Sequence, residues 1–172
     1  MTFIVRPETP ADEGVVADVN EEAFGRPDEA VLVASLRRGR AFLPGLSLVA
    51  EVQGAIIGHV LFTRLYVGPM RTPGLALAPM AIRKVHQRRG VGTALVREGL
   101  NAATTRGEAF SIVVGDPEYY PRFGFSPASR FGIHAPFEVR DEALMALELR
   151  PGGLRGVFGR IEWAPEFGLV SP

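Results

Sequence analysis

ALAPMAIRKVHQRRGVG, residues Ala76 to Gly92, begins as an apolar run, turns basic and closes on two glycines. The spacing that follows predicts a helix over Val91 to Arg106, with Val91, Ala94, Leu95, Ala102 and Ala103 on one face and Gly107 as its end. A strand, a turn rich in Arg and Gly, and a helix start therefore stand in succession. Helix starts leave backbone N–H groups unpaired and carry a partial positive charge, so they collect phosphate. Gly90 and Gly92 lack the side chains that would hold a phosphate off the backbone. Arg88 and Arg89 add charge, and Gln87 adds a side-chain amide. The pattern implies a pyrophosphate cradle over Gln87, Arg88, Arg89, Gly90, Val91 and Gly92.

Two common cradles do not fit. A P-loop needs a Lys-Ser/Thr pair after its second glycine, and none is present. A dinucleotide fingerprint needs a third glycine where Leu95 stands, and a strand directly before Gly90 where Gln-Arg-Arg stands.

Composition bounds the rest. The chain has 172 residues, 47% apolar and 22% charged, ordinary globular chemistry and long enough for a proper core. One domain over 1–172 is expected, its core at about 3–145 and the C-terminal strands of 146–172 in the same unit. Lys+Arg and Asp+Glu both number 19, so no basic surplus points to nucleic acid. The absence of cysteine excludes disulfides, thiolate metal sites and cysteine nucleophiles. MTFIVRPETP lacks the basic-then-apolar pattern of a signal peptide, and no apolar stretch is long enough to span a bilayer. A soluble cytoplasmic protein is the expectation.

In chain order, Phe3 to Arg6 reads as a strand and Thr9-Pro10-Ala11-Asp12 as a helix start. Val15, Val16, Val19, Ala23 and Phe24 give that helix an apolar face. Gly25-Arg26-Pro27 breaks it, and a second helix from Asp28 carries Val31, Leu32, Ala34 and Leu36 inward. Leu46 to Glu51 and Ala55 to Tyr66 form a hairpin across Gln53-Gly54, and Val67 to Gly74 reads as a loop. Leu75 to Arg83 is the central strand. Pro79 inside it has no N–H to give a ladder, which predicts a bulge or a splay. Ser111 to Val114, the start at Gly124-Phe125, Leu144 to Leu149 and Val157 to Trp163 supply further strands, with a helical turn over Pro117 to Phe123.

Gln87-Arg88-Arg89-Gly90-Val91-Gly92 fits the Q/R-x-x-G-x-G/A signature of the GNAT acetyltransferases, between an apolar strand and a helix. At the expected distance, Tyr120-Pro121-Arg122-Phe123-Gly124-Phe125 resembles the family's Tyr-x-x-x-Gly-Phe segment. The run Gly115 to Phe125 is similar to the YhbS-like branch of N-acetyltransferases, as is the Leu-x-Pro-Met-Ala-Ile form of the central strand. The resemblance extends from Phe3 to about Ala164 and is strongest from Leu77 to Phe125. It implies an α/β (α+β) acyl-CoA N-acyltransferase fold: a mixed, mostly antiparallel twisted sheet flanked by helices, with a bulged, splayed central strand. The two N-terminal helices would wall the acceptor site.

The implied activity is transfer of the acetyl group of acetyl-CoA, the cosubstrate, to an amine-bearing small molecule or peptide by direct attack in a ternary complex. Met80, Ala81 and Ile82 would pair with the pantetheine arm, and one of their N–H groups would face the thioester oxygen. Gln87 to Gly92 would hold the pyrophosphate. Tyr120 falls where the family places its general acid, and a one-residue offset of the turn would present Tyr119 instead. The general base stays open among Glu22, Glu51, Asp116 and Glu118. Asp116 reads equally as a cap on the Pro117 turn. His59, His86 and His134 share no ligand spacing, so no metal is expected. Neither membrane nor nucleic-acid partners are expected, and family habit allows a homodimer. The alternative is a catalytically weak CoA-binding sensor or interaction module on the same fold.

Overall fold

The computed structural model describes residues 1–169, so the last three residues of the expected 146–172 segment lie outside it. The elements are β1 (Ile4–Pro7), α1 (Glu13–Phe24), α2 (Asp28–Arg38), β2 (Phe42–Val52), β3 (Ala55–Val67), β4 (Thr72–Ile82), α3 (Val91–Thr105), β5 (Phe110–Val114), β6 (Ser126–Pro127), β7 (Ile133–His134), β8 (Leu144–Glu148) and β9 (Gly159–Glu162). The strands form one mixed sheet in the order β1-β2-β3-β4-β5-β8-β6, with β9 added to β3 and β7 to β9. Among the described residues only β4–β5 and β7–β9 pair in parallel.

Each face has its own core. Leu48, Ala50, Val60, Phe62, Leu75 and Leu77 pack on α3. On the opposite face Val49, Leu61 and Ala81 meet α1 and α2. Further along that face, Ala76, Ile112, Leu144 and Ala146 meet the segment that carries β7 and β9. The α3 stripe is Val91, Leu95, Val96, Gly99, Leu100 and Ala103. Full burial of an aliphatic side chain contributes about 1.5–3 kcal/mol, so this stripe anchors the helix that starts at the cradle. Gly99 is part of it because a Cβ there would collide with the Phe62 ring.

Several sequence expectations need correcting. The loop at Val67–Gly74 shrinks to Gly68–Arg71, because Val67↔Thr72 and Tyr66↔Pro73 continue the ladder. Val15, Phe24 and Val31 lie on the solvent side of their helices, at 37%, 40% and 55% exposure. Ala30 and Val33 take the inward places on α2 beside Leu32 and Leu36. Thr9 and Pro10 start a single 3-10 turn rather than α1. The Asp12 carboxylate closes that turn, accepting from the Thr9 N–H at 2.8 Å and from Arg6 at 2.8 Å. The segment after Gly124 yields only the two-residue β6.

Candidate active site

The expected bulge lies opposite Leu61. Val60 pairs with Met80 and Phe62 with Leu77, so Ala78 and Pro79 together face one residue of β3. The splay is beside it. β4 runs along β3 from end to end, whereas β5 meets β4 only at Leu75↔Ser111 and Ala76↔Ile112 and otherwise follows β8 over all five of its residues. Beyond Ala76 the β5-side edge of β4 therefore has no strand partner.

The backbone alternation shows which groups face that opening. The Arg83 N–H donates to the Ile57 carbonyl at 2.9 Å. Ala81, two residues back, thus turns its backbone groups to His59 of β3, and Met80 and Ile82 turn theirs into the splay. Of the three strand residues expected to pair with a pantetheine arm, Met80 and Ile82 have that direction and Ala81 does not. The Ala81 side chain is buried against the α1–α2 face.

At the cradle, Arg88 (φ 61°) and Gly90 (φ 83°) are both left-handed, and Gly90 is the N-cap of α3. No side chain caps this helix start. The Ala94 N–H reaches the Gly90 carbonyl at 3.1 Å, which leaves those of Val91, Gly92 and Thr93 without an intrahelical acceptor. Arg88 and Arg89 are exposed and in no ion pair among the described residues. Gln87 does something sequence reasoning missed: its Nε2 donates to the Ile82 carbonyl at 3.0 Å, tying the turn to the strand end. Glu22 of α1 makes a second tie, accepting the Lys84 N–H at 2.8 Å and Arg83 Nη1 at 3.1 Å.

The two tyrosines border the opening differently. The Tyr119 hydroxyl lies 3.0 Å from Thr93 Oγ1 in the first turn of α3, and Arg122 covers its ring with 4.2 Å to the centroid. A Cβ on Gly92 would stand 3.4 Å from Met80 Sδ and 3.5 Å from the Tyr119 hydroxyl, so these three groups meet at the cradle. The Tyr120 ring is buried over Gly115, at the C-terminal end of β5, edge-on to Tyr119 and Phe125. Its hydroxyl has no hydrogen-bond partner among the described residues. Burial pushes the phenol up to about 12, with Tyr119 and Asp116 adding to the shift.

The candidate bases disperse. The Glu22 carboxylate is held below its usual range, first by the Lys84 N–H and then by Arg83, which makes it a poorer proton acceptor. Glu51 pairs with Arg6 at 3.2 Å. Asp116 accepts the Glu118 N–H at 2.8 Å and acts as the cap.

His59 belongs to a buried network that no sequence spacing announced. Asn20 Nδ2 donates to the Val16 carbonyl at 2.9 Å and to His59 Nδ1 at 3.2 Å. His59 Nε2 lies 2.9 Å from Ser47 Oγ, whose hydroxyl donates to Glu8 Oε2 at 2.7 Å. This donor pattern assigns the ring proton to Nε2. The imidazole cannot then take the serine proton, so Ser47 is no activated nucleophile.

The family profile described as "Acetyltransferase (GNAT) family" matches residues 15–125. The chain is 39% identical over 135 residues to the uncharacterized N-acetyltransferase YjhQ of Escherichia coli (strain K12), covering 77% of this chain and 75% of YjhQ. Its fold superimposes with a TM-score of 0.92 on YhbS from Escherichia coli crystallised with CoA, at 28% identity over 98% of this chain and 93% of that one. A GNAT acetyltransferase from Brucella melitensis in complex with acetyl-CoA gives 0.80 at 27% identity, covering 96% and 98%. The profile match spans the strand, turn and helix from which the reading began, and it makes this chain a member of the GNAT acetyltransferase family.

Proposed function

We propose that the protein transfers the acetyl group of acetyl-CoA to an amine by direct attack within a ternary complex, with Tyr120 as the general acid. The observation that carries this reading is the unpartnered edge of β4 leading into the uncapped start of α3. A peptide-like arm adds to such an edge as an extra strand would, and its pyrophosphate comes to rest on the Val91, Gly92 and Thr93 N–H groups. The ties from Gln87 and Glu22 hold strand end and cradle in one geometry before any ligand arrives. CoA and acetyl-CoA in the related structures support the same cosubstrate.

Pro79 has no N–H, so the first donor after the bulge that faces the opening is that of Met80. We assign it to the thioester oxygen, where charge develops as the amine nitrogen bonds to the acetyl carbon. The carbon–sulfur bond then breaks, and the electron pair leaves on sulfur. We assign to Tyr120, whose ring packs over Gly115 at the end of β5, the O–H that gives this sulfur its proton. A phenol at about 12 against an ordinary thiol near 8.5 makes that transfer uphill by about 5 kcal/mol. Burial disfavours the thiolate as it does the phenolate, which narrows the gap. Glu22 and Glu51 are held in ion pairs and Asp116 in its cap, whereas the Glu118 carboxylate is exposed and in no ion pair among the described residues, so on our reading the acceptor sheds its proton to Glu118 or to water. We also read 1–172 as one domain, since β8 and β9 join the same sheet as β1 to β4.

Calorimetric titration with acetyl-CoA, with NAD and ATP as controls, tests the cradle, and thiol release with a panel of amines tests transfer. Micromolar binding of acetyl-CoA alone, followed by amine-dependent thiol release, is the expected result. Binding without release to any amine would leave the sensor reading.

A further inference from the structure

The buried residues of α1 are Val16, Val19 and Asn20, so its inward stripe carries one polar side chain. Asn20 is fully buried, and its Oδ1 has no hydrogen-bond partner among the described residues. Its Nδ2 gives one bond to the Val16 carbonyl and one, at 3.2 Å, to His59 Nδ1. An apolar residue of similar size would fill the same space and leave no acceptor of its own unpaired. Stability alone therefore does not account for an amide at this position. The best-attested use of a buried polar group in an apolar seam is to fix register.

The partner suits that use. His59 stands opposite Ala81 in the β3–β4 ladder, so both side chains share the face that α1 covers. The ring is itself held in place. Its Nε2 meets Ser47 of β2, Ser47 donates to Glu8, and Glu8 accepts from Arg37 near the end of α2. Apolar contacts are non-directional, whereas a hydrogen bond fixes both rotation and rise. What depends on the register of α1 is Glu22, two residues beyond Asn20. It accepts the Lys84 N–H at 2.8 Å and Arg83 Nη1 at 3.1 Å, at the end of β4 where the cradle begins. A slip of one residue turns a helix by about 100° and shifts it by about 1.5 Å, which would take the carboxylate off both donors.

We propose that the Asn20–His59 bond is a register lock for α1, which holds Glu22 on the strand end and so sets the affinity of the cradle for acetyl-CoA. Asn20 and His59 are positioning residues, both fully buried, and they act on the cosubstrate through Glu22. The proposal rests on the acetyl-CoA reading of the cradle and holds whichever amine is acetylated.

The test is a double-mutant cycle on acetyl-CoA binding by calorimetry, with wild type, Asn20→Leu, Glu22→Ala and the combined variant. Asn20→Leu exchanges one unpartnered acceptor, its own Oδ1, for another, His59 Nδ1, so the protein should fold with a melting temperature near that of wild type. Its dissociation constant for acetyl-CoA should rise about fivefold. In the Glu22→Ala background the same substitution should change it by less than about twofold, because the carboxylate that the lock places is gone. Val33→Ala, an apolar truncation in the same core, should lower the melting temperature and leave the dissociation constant alone. Should Asn20→Leu fail to fold, His59→Gln breaks the same bond from the β3 side. Its amide reaches the place of Nε2 and vacates that of Nδ1, and the same two affinities are expected. An unchanged dissociation constant in the variant, a rise that recurs in full without Glu22, or an equal rise in Val33→Ala would overturn the lock while binding by the wild type keeps the cosubstrate reading. Failure of the wild type to bind acetyl-CoA would remove that reading and the proposal with it.

Discussion

Replacing each tyrosine of the pair by phenylalanine separates chemistry from architecture. The Tyr120 hydroxyl has no partner among the described residues, so Tyr120→Phe removes no hydrogen bond and leaves the ring packing on Gly115 and Phe125 intact. Stability should stay within about 0.5 kcal/mol of wild type. Turnover should fall by about 10² or more, the loss expected when a positioned general acid is removed, with acetyl-CoA affinity kept. Tyr119→Phe should show the reverse. It breaks the 3.0 Å bond to Thr93, worth about 1 kcal/mol, or about 2–4 °C in a chain of this size. Its acetyl-CoA affinity should weaken by a few-fold because the hydroxyl borders Gly92, and kcat should stay within tenfold. The pH profile adds a third reading. With the phenol at about 12, Tyr120 stays protonated through the working range. The rate should therefore rise as the acceptor amine loses its proton and show no alkaline fall below about pH 11. Thermal melts, calorimetry and steady-state kinetics on both variants suffice. Wild-type kcat in Tyr120→Phe, or a large kcat loss confined to Tyr119→Phe, would refute the assignment and turn the acid role to Tyr119.

Gly90→Asp strains the left-handed backbone at φ 83° by about 1–2 kcal/mol, but nothing lies within 4 Å of a Cβ at that position, so the fold should survive the substitution. Its carboxylate would occupy the anion site, so calorimetry should find acetyl-CoA binding lost; retained binding would remove the pyrophosphate from this turn. Glu22→Ala frees the Lys84 N–H and Arg83, and should weaken acetyl-CoA severalfold with the far-UV spectrum unchanged, Glu22→Gln falling between. An unaltered dissociation constant would show that Glu22 does not position the cradle. His59 is held down to about 3 by burial and then by the charge of Arg37, so its neutral form contributes stability that is fully present above the unfolded value of 6.5 and is lost as pH falls toward the folded one. The loss should reach about 3 kcal/mol at pH 4.5 relative to pH 7.5, read by urea unfolding, and should vanish in His59→Gln. A variant with the wild-type slope would assign the acid lability to other groups.

The parts legible in the sequence are those fixed by one residue or by adjacent ones. Pro79 announces the bulge because a missing N–H is a local fact, and Gly90 announces the helix start because its left-handed conformation is the one glycine adopts freely. What stayed hidden depends on partners far along the chain. Tyr119 and Tyr120 differ in surroundings through the set of a single 3-10 turn against β5 and α3, which an adjacent pair of identical residues cannot encode. Gln87 looked like a ligand-facing amide, and only the approach of the Ile82 carbonyl shows where it points. The network joining Glu8, Asn20, Ser47 and His59 draws on α1, β2, β3 and the segment after β1 and has no spacing to recognise. Val15, Phe24 and Val31 fit a helical period and still face solvent, since periodicity gives a stripe but not its width.

The splay itself comes from unequal pairing. β4 has eleven residues and an antiparallel partner along its whole length, while β5 has five, all matched to β8. Two strands with full partners on their outer sides need only a short contact with each other, here the Leu75 and Ala76 rungs, and they diverge beyond it. The divergence exposes main-chain donors and acceptors that elsewhere in a sheet would be paired, and unpaired backbone groups are unfavourable unless water or a ligand meets them. A ligand with amides spaced along an extended arm meets them better than isolated waters do. On the proposed reading, recognition of the arm is thereby carried mainly by backbone groups of β4 rather than by side chains.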